Sequence, residues 1–130
     1  MFLSNILAVF GAEPRISLVT LVDRAVSYAQ VNGKEKALEE FNDENGDFVD
    51  GDRYIFAEDF NANVLALPFE PEMIGKNRFE ERDFYGALYK QDLVDAAKEG
   101  MGLVYYIYPN PQKTMTPNFK MSYVRKLDND

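Results

Sequence analysis

The chain has 130 residues, with 22 Asp and Glu against 14 Lys and Arg, no His, Cys or Trp, and a formal net charge of -8. This excludes Ser-His-Asp and thiolate nucleophiles, thiolate or imidazole zinc sites and a disulfide framework. It also disfavours nucleic acid as a partner, because phosphate binding needs a clustered positive surface. Since 46% of the residues are hydrophobic, one domain can bury a core without a metal or cofactor, and none is expected. The expected partner is a small molecule or a protein.

Residues 1 to 12, MFLSNILAVFGA, carry no charge. The run is shorter than the roughly 20 apolar residues of a spanning helix, and it lacks the basic start of a secretory signal. Phe2 to Phe10 is read as a buried strand or helix turn, with the trimmed remainder of a leader or anchor as the alternative. From Pro14 to Gln30, Ile16, Val19, Val22, Val26 and Ala29 recur every three or four residues, the period of an amphipathic helix. Pro14 suits its first turn and Asn32-Gly33 its C-cap. Lys34 to Phe41 reads as a second helix, ended by the Asn, Asp and Gly of residues 42 to 52.

The period then changes to two. Tyr54 to Glu58 and Val64 to Leu67 read as a hairpin around residues 59 to 63, and Pro68 and Pro71 make the chain irregular through Asn77. Tyr89 to Lys98 reads as a helix with Leu93, Val94 and Ala97 inward and Gly100 as its stop. Leu103 to Tyr108 and Phe119 to Leu127 read as strands separated by Pro109-Asn110-Pro111. Helices first and antiparallel strands after, with one helix inserted, give an α+β domain.

Several side-chain groups invite a chemical reading. Asp59, Asn61, Asn63 and Glu70 have the spacing of a calcium loop, but Val64 stands where the sharp turn needs Gly, so a plain hairpin turn is expected and no metal. Asp43, Asp47, Asp50 and Asp52 are read as solvated turn residues. In Leu103 to Tyr108, alternation puts Val104, Tyr106 and Tyr108 on one face and Leu103, Tyr105 and Ile107 on the other, and both faces are expected to be buried. Buried tyrosine hydroxyls need partners, supplied either by a packed core or by a polar ligand. Lys120 and Ser122 project together from the last strand, a cation beside a hydroxyl that would suit a carboxylate.

Ala25 to Ala29, Asn32 to Leu38 and Glu40 to Asp43 together resemble the opening of single Cache domains. The similarity continues in order through Gly51 to Ala57, Leu65 to Pro68, Ile74 to Asn77, Ala96 to Lys98 before Gly100 to Gly102, Tyr108 to Pro111 and Lys120 to Val124. The resemblance implies a non-enzymatic, extracytoplasmic sensor domain (periplasmic, at the cell surface or secreted) of the kind found in histidine kinases and chemoreceptors. It implies a long N-terminal helix packed on a PAS-like antiparallel sheet, and a small, anionic ligand held between the sheet and a cover formed by Pro68 to Asn77. Phe56, Leu67, Tyr106, Tyr108, Lys120 and Ser122 become the ligand-binding candidates, with Lys120 taking the anionic group. Any membrane anchor or output domain would lie outside these 130 residues.

The chain departs from the family pattern in three places. Leu67 stands where relatives commonly have His, tyrosines stand at 106 and 108 where Trp is frequent, and no counterpart of a final Trp-Phe-x-Gly-Ser-Gly-Ile-Tyr strand follows Val124. We therefore divide the chain into an apolar segment, residues 1 to 13, and a sensor domain, residues 14 to 130. The segment is a candidate to fill the final strand's slot, through permutation or exchange between chains. Two rivals to the sensor reading are a carboxylate-dependent hydrolase, for which no acidic pair stands out, and a non-catalytic module without a pocket that dimerises through the first helix or an open sheet edge.

Overall fold

The computed structural model describes residues 1–8, 15–51, 53–109 and 117–129. In chain order the elements are β1 (Phe2–Ala8), α1 (Arg15–Asn32), α2 (Lys34–Phe41), β2 (Val49–Asp50), β3 (Arg53–Glu58), β4 (Val64–Ala66), a 3-10 turn (Pro71–Met73), α3 (Tyr89–Lys98), β5 (Met101–Pro109) and β6 (Pro117–Lys126). The strands form one antiparallel sheet in the order β2-β3-β1-β6-β5, with β4 also on β3. This is the expected α+β arrangement of a long N-terminal helix on an antiparallel sheet. The expected roles of Val9, Phe10, Pro14, Asp52, Asn110 and Pro111, and of the Ile16 side chain, lie outside the described residues.

β1 is central. It pairs with β3 on one side, Ser4 opposite Phe56, and with β6 on the other, Ser4 opposite Val124. Phe2, Leu3 and Ser4 are fully buried, so the start of the charge-free opening is part of the core on both sheet faces. A strand with both edges hydrogen-bonded and both faces covered has no use for charge.

The two faces carry separate cores. On one, α1 lays down Leu18, Leu21, Val22, Ala25, Val26 and Ala29 against Leu3, Ile55, Ala57, Met121 and Tyr123. This stripe is turned slightly from the expected one, with Val19 only at its margin. Tyr28, Phe41 and Phe48 close the far end, Phe48 meeting Tyr28 at 5.3 Å and Phe41 at 5.1 Å edge-on. On the opposite face Phe2, Tyr54, Phe56, Val104, Tyr106 and Val124 meet Tyr89, Leu93, Val94 and Ala97 of α3.

Glycine permits the tight junction between α3 and β5. Gly100 turns the chain with φ +102°, and at Gly102 a side chain would place its Cβ 2.9 Å from that of Ala96. The turn chemistry near residue 59 is local: Asp59 accepts the backbone N–H groups of Asn61 and Asn63, each at 2.9 Å, as turn aspartates do. In the acidic loop Asp43 accepts from the Asn45 N–H at 2.9 Å, and Asp50 pairs with Arg53 at 2.5 Å.

One sequence expectation fails. Leu103 and Tyr105 are 37% and 59% exposed, whereas Ile107 on the same face is buried as expected, so this face of β5 is covered only toward its end. The reason is position: β5 is the outermost strand, and α1 packs over β1, β3 and β6 at the middle of the sheet.

If β1 holds this place in solution, Leu3→Ala will lower the unfolding free energy by about 2–5 kcal/mol, the cost of emptying a buried leucine site. Urea denaturation measures it, and an unchanged midpoint would remove β1 from the sheet.

Candidate functional site

The face beneath α3 gathers most of the chain's buried polar chemistry. Strand register decides this. Tyr106 lies directly opposite Lys120 and Val104 opposite Ser122 on the β5–β6 pair, while Phe2, Phe56 and Glu58 come to the same face from β1 and β3. Lys120 is 1% exposed and Ser122 fully buried. The hydroxyls of Tyr106 and Ser122 share a 2.6 Å hydrogen bond, and the Ser4 hydroxyl donates to the Tyr123 carbonyl at 2.9 Å. The Tyr106, Ser122 and Ser4 hydroxyls are thereby paired, as burial demands.

Of the six candidate residues, Phe56, Leu67 and Tyr106 belong to one buried cluster, and Lys120 and Ser122 lie on the same sheet face beside Tyr106. The backbone of Tyr108 continues β5 opposite Asn118, and its side chain lies outside the described residues. Two elements cover this face. The segment after β4 folds back so that Val64 N–H donates to the Lys76 carbonyl at 2.9 Å and Gly75 N–H to the Val64 carbonyl at 2.8 Å. It places Phe69 edge-on to Tyr54 at 5.2 Å and Met73 against the same cluster. α3 supplies the second cover, with the Tyr89 ring stacked on Tyr106 at 4.7 Å and 25°.

Five residues that spacing did not single out complete the site: Glu58, Arg78, Glu81, Tyr89 and Lys90. The Lys90 ammonium donates to Glu58 Oε1 at 2.8 Å and sits 4.7 Å from the centre of the Phe56 ring, a desolvated cation-π contact. Both partners are buried, and Glu58 Oε2 has no hydrogen-bond partner among the described residues. Burial pushes the Lys90 ammonium below the ordinary lysine value. The attraction of Glu58 opposes this, and repulsion from Arg78 adds to it. Beside it, the Arg78 guanidinium grips both oxygens of Glu81 and donates to the Tyr89 hydroxyl at 3.0 Å, while that hydroxyl donates to Glu81. Burial pushes the Glu81 carboxyl up, but the Arg78 hydrogen bond and charge, with the Tyr89 hydrogen bond, outweigh it and hold the group below its usual value.

A signal for Lys90 was available. It stands three, four and seven residues before Leu93, Val94 and Ala97, so it lies on the inward stripe of α3, where a lysine requires an acid. Nothing in the sequence names Glu58 as that acid. Alongside α3 a cleft of about 610 Å³ opens between the helix and the cover, lined by Phe60, Met73, Lys76, Arg78, Glu81 and Lys98 among others. Among the described residues no group of three or more acidic side chains is arranged to hold a metal ion, and no helix is long and apolar enough to cross a membrane.

This architecture recurs in solved sensor domains. A methyl-accepting chemotaxis protein from Vibrio parahaemolyticus superimposes with a TM-score of 0.67 at 17% identity, over 88% of this chain and 89% of that one. The periplasmic sensor domain of a chemotaxis protein gives 0.57 at 22% identity, over 85% and 88%. A Cache chemosensory domain described for its carboxylic acid recognition gives 0.57 at 16%, over 84% and 85%. No curated protein matches the chain by sequence. The profile of the family described as Single Cache domain 2 matches residues 17–129, and the chain belongs to that family.

Proposed function

We propose that this single Cache domain works outside the cytoplasm as the ligand-sensing part of a signal-transduction receptor, and that its ligand is a small carboxylate held against Lys120. The observation that carries the reading is the position of Lys120: a buried cation on the sheet face, across from Tyr106 and two residues from Ser122. A cation beside hydroxyls suits a carboxylate, which offers several lone pairs to both kinds of donor. The structural likeness to a domain described for carboxylic acid recognition supports the same class. Phe56, Leu67 and Tyr106 provide the apolar wall that limits the ligand to a small acid, and the Tyr108 position extends that wall along β5. With Leu67 in place of a polar residue, the wall favours an aliphatic tail over a second polar group.

Binding is transmitted as a shift between two states of different affinity. The ligand face and the α1 face share the same strands, so a change of strand spacing around Lys120 reaches α1 through the ion pair of Arg125 with Asp23, 2.8 Å long. β1 takes the part of the family's last strand in this scheme, since it joins the two halves of the ligand face. The stacking of Tyr89 on Tyr106 favours a second reading, in which the face is a packed core and the domain acts through protein contacts alone.

A thermal-shift and calorimetric screen of short-chain mono- and dicarboxylates, amines and amino acids separates the two. The expected result is stabilisation by a carboxylate that Lys120→Met weakens at least about tenfold, the loss of one charge-assisted contact of about 1.5–3 kcal/mol. Binding of amines only, or a carboxylate affinity indifferent to Lys120, would overturn the site, and a complete lack of ligands would favour the packed-core reading.

The Glu58–Lys90 pair seats α3 over this face, so α3 should depend on it. Glu58→Gln leaves the Lys90 charge buried without its counter-ion and is expected to cost about 3–5 kcal/mol at neutral pH. The sign with pH follows from Lys90. Its folded value is depressed, so between that value and the unfolded value near about 10.4 the unfolded chain binds more protons and stability rises with pH. Loss of Glu58 removes the attraction that opposes this depression, so Lys90 sheds its proton at lower pH in Glu58→Gln than in the native chain. The deficit should shrink in urea melts taken from pH 7 upward, and a pH-independent deficit would contradict the assignment.

A further inference from the structure

The two outer edges of the sheet are treated differently. At the β4 edge the chain caps itself: Val64, Gly75, Lys76 and Arg78 exchange backbone hydrogen bonds across the hairpin tip. At the β5 edge only one end is capped. The bond from Lys126 N–H to the Gly100 carbonyl sets the phase of the β5–β6 ladder. In an antiparallel pair alternate residues face the partner strand, so Gly102, Val104 and Tyr106 turn their peptide groups toward β6, and Met101, Leu103, Tyr105 and Ile107 turn theirs away. Ile107 agrees with this phase, since its N–H donates to Asp83 at 3.2 Å and its carbonyl accepts from Phe84 N–H at 3.3 Å. The outward peptide groups of Met101, Leu103 and Tyr105 have no hydrogen-bond partner among the described residues, and their side chains are 59%, 37% and 59% exposed.

We propose that this three-residue edge pairs with the same edge of a second copy of the chain, antiparallel about a two-fold axis at Leu103, so that Leu103 faces its own copy and Met101 faces Tyr105. The register follows from the boundaries: Ile107 is already capped, so the open run is centred on Leu103, and only this register uses all three residues of both copies. It sets each Met101 side chain, whose thioether accepts from the Tyr123 hydroxyl of its own chain at 3.8 Å, directly opposite Tyr105 of the other copy, a cross-strand apolar pair. Charge selects the occupant. Two copies of a chain with net charge -8 repel across most of their surface, and β5 carries no charged residue in nine. Exposed edges that must stay monomeric are instead blunted with Lys, Pro or bulges, and residues 101 to 105 contain none of these. A foreign partner drawn to this protein by charge would use its acidic surface rather than this neutral edge. The same strand carries Tyr106 on its other face, so pairing would place two ligand faces side by side, though the proposal does not depend on any ligand.

The test is sedimentation velocity of the whole chain up to a concentration on the order of 1 mM, with hydrogen exchange at both ends of the range. The expected result is a dimer in which the Leu103 and Tyr105 amides exchange more slowly at high concentration while the β4 amides do not change. Leu103→Pro removes an outward N–H without touching the β6 ladder, as proline is tolerated on strand edges, and should weaken the dimer by more than about tenfold. Leu103→Lys, which keeps every backbone group, should do the same through charge repulsion and stands in if the proline variant does not fold. A monomer throughout would overturn the proposal. So would concentration-independent exchange at Leu103 and Tyr105, or a dimer lost on changing exposed Val31 of α1 to Glu but kept in Leu103→Lys.

Discussion

The pairing of β1 with β3 and β6 is the constraint on which the rest of the molecule depends. Without it, the β2-β3-β4 group and the β5–β6 pair would not share an edge. The face beneath α3 exists because that seam is closed: Phe56 and Glu58 come from one half, Tyr106, Lys120 and Ser122 from the other, and Phe2 and Ser4 lie between them. The α1 face depends on the same seam, since Leu3 lies between Ala57 and Arg125 while Ile55 and Met121 flank it. A central strand satisfies its backbone groups on both edges, which explains why a segment with no charged side chain is stable at the middle of an acidic protein.

On that frame, two buried cations of the cover are answered by acidic partners. Lys90 is matched by Glu58, and Arg78 by Glu81 and the Tyr89 hydroxyl. Such pairs are poor sources of net stability, because desolvation offsets most of the attraction. Their effect is to fix orientation: Lys90 and Tyr89 adjoin on the first turn of α3, so holding one over Glu58 and the other beneath Arg78 locks the helix over the face. The stacked Tyr89 and Tyr106 rings then connect the polar cover to the hydroxyl pair next to Lys120.

Much of the fold was legible because its signals are local. The spacing of Leu93, Val94 and Ala97 and the stop at Gly100 define α3, and the asparagines and aspartates around Asp59 define the hairpin. The sheet-facing alternation of Val104 and Tyr106 with Lys120 and Ser122 was readable as well, because period two follows from the strand itself. The exposure of Leu103 and Tyr105 was not. Alternation reveals that two faces exist, but whether the second is covered depends on where α1 crosses the sheet.

The sequence alone therefore determined the helices, the strands, the acidic surface, the absence of imidazole and thiol chemistry and, through an ordered series of short motifs, membership of a sensor family. Tertiary structure decided that Lys90 meets Glu58 across 32 positions of chain, that residues 2 to 8 close the sheet between β3 and β6, and that β5 is left as an open edge. The division follows from the range of the forces involved. Turn and helix preferences act within a few residues, whereas pairing, burial and exposure are properties of residues that become neighbours only when the whole chain has closed on its core.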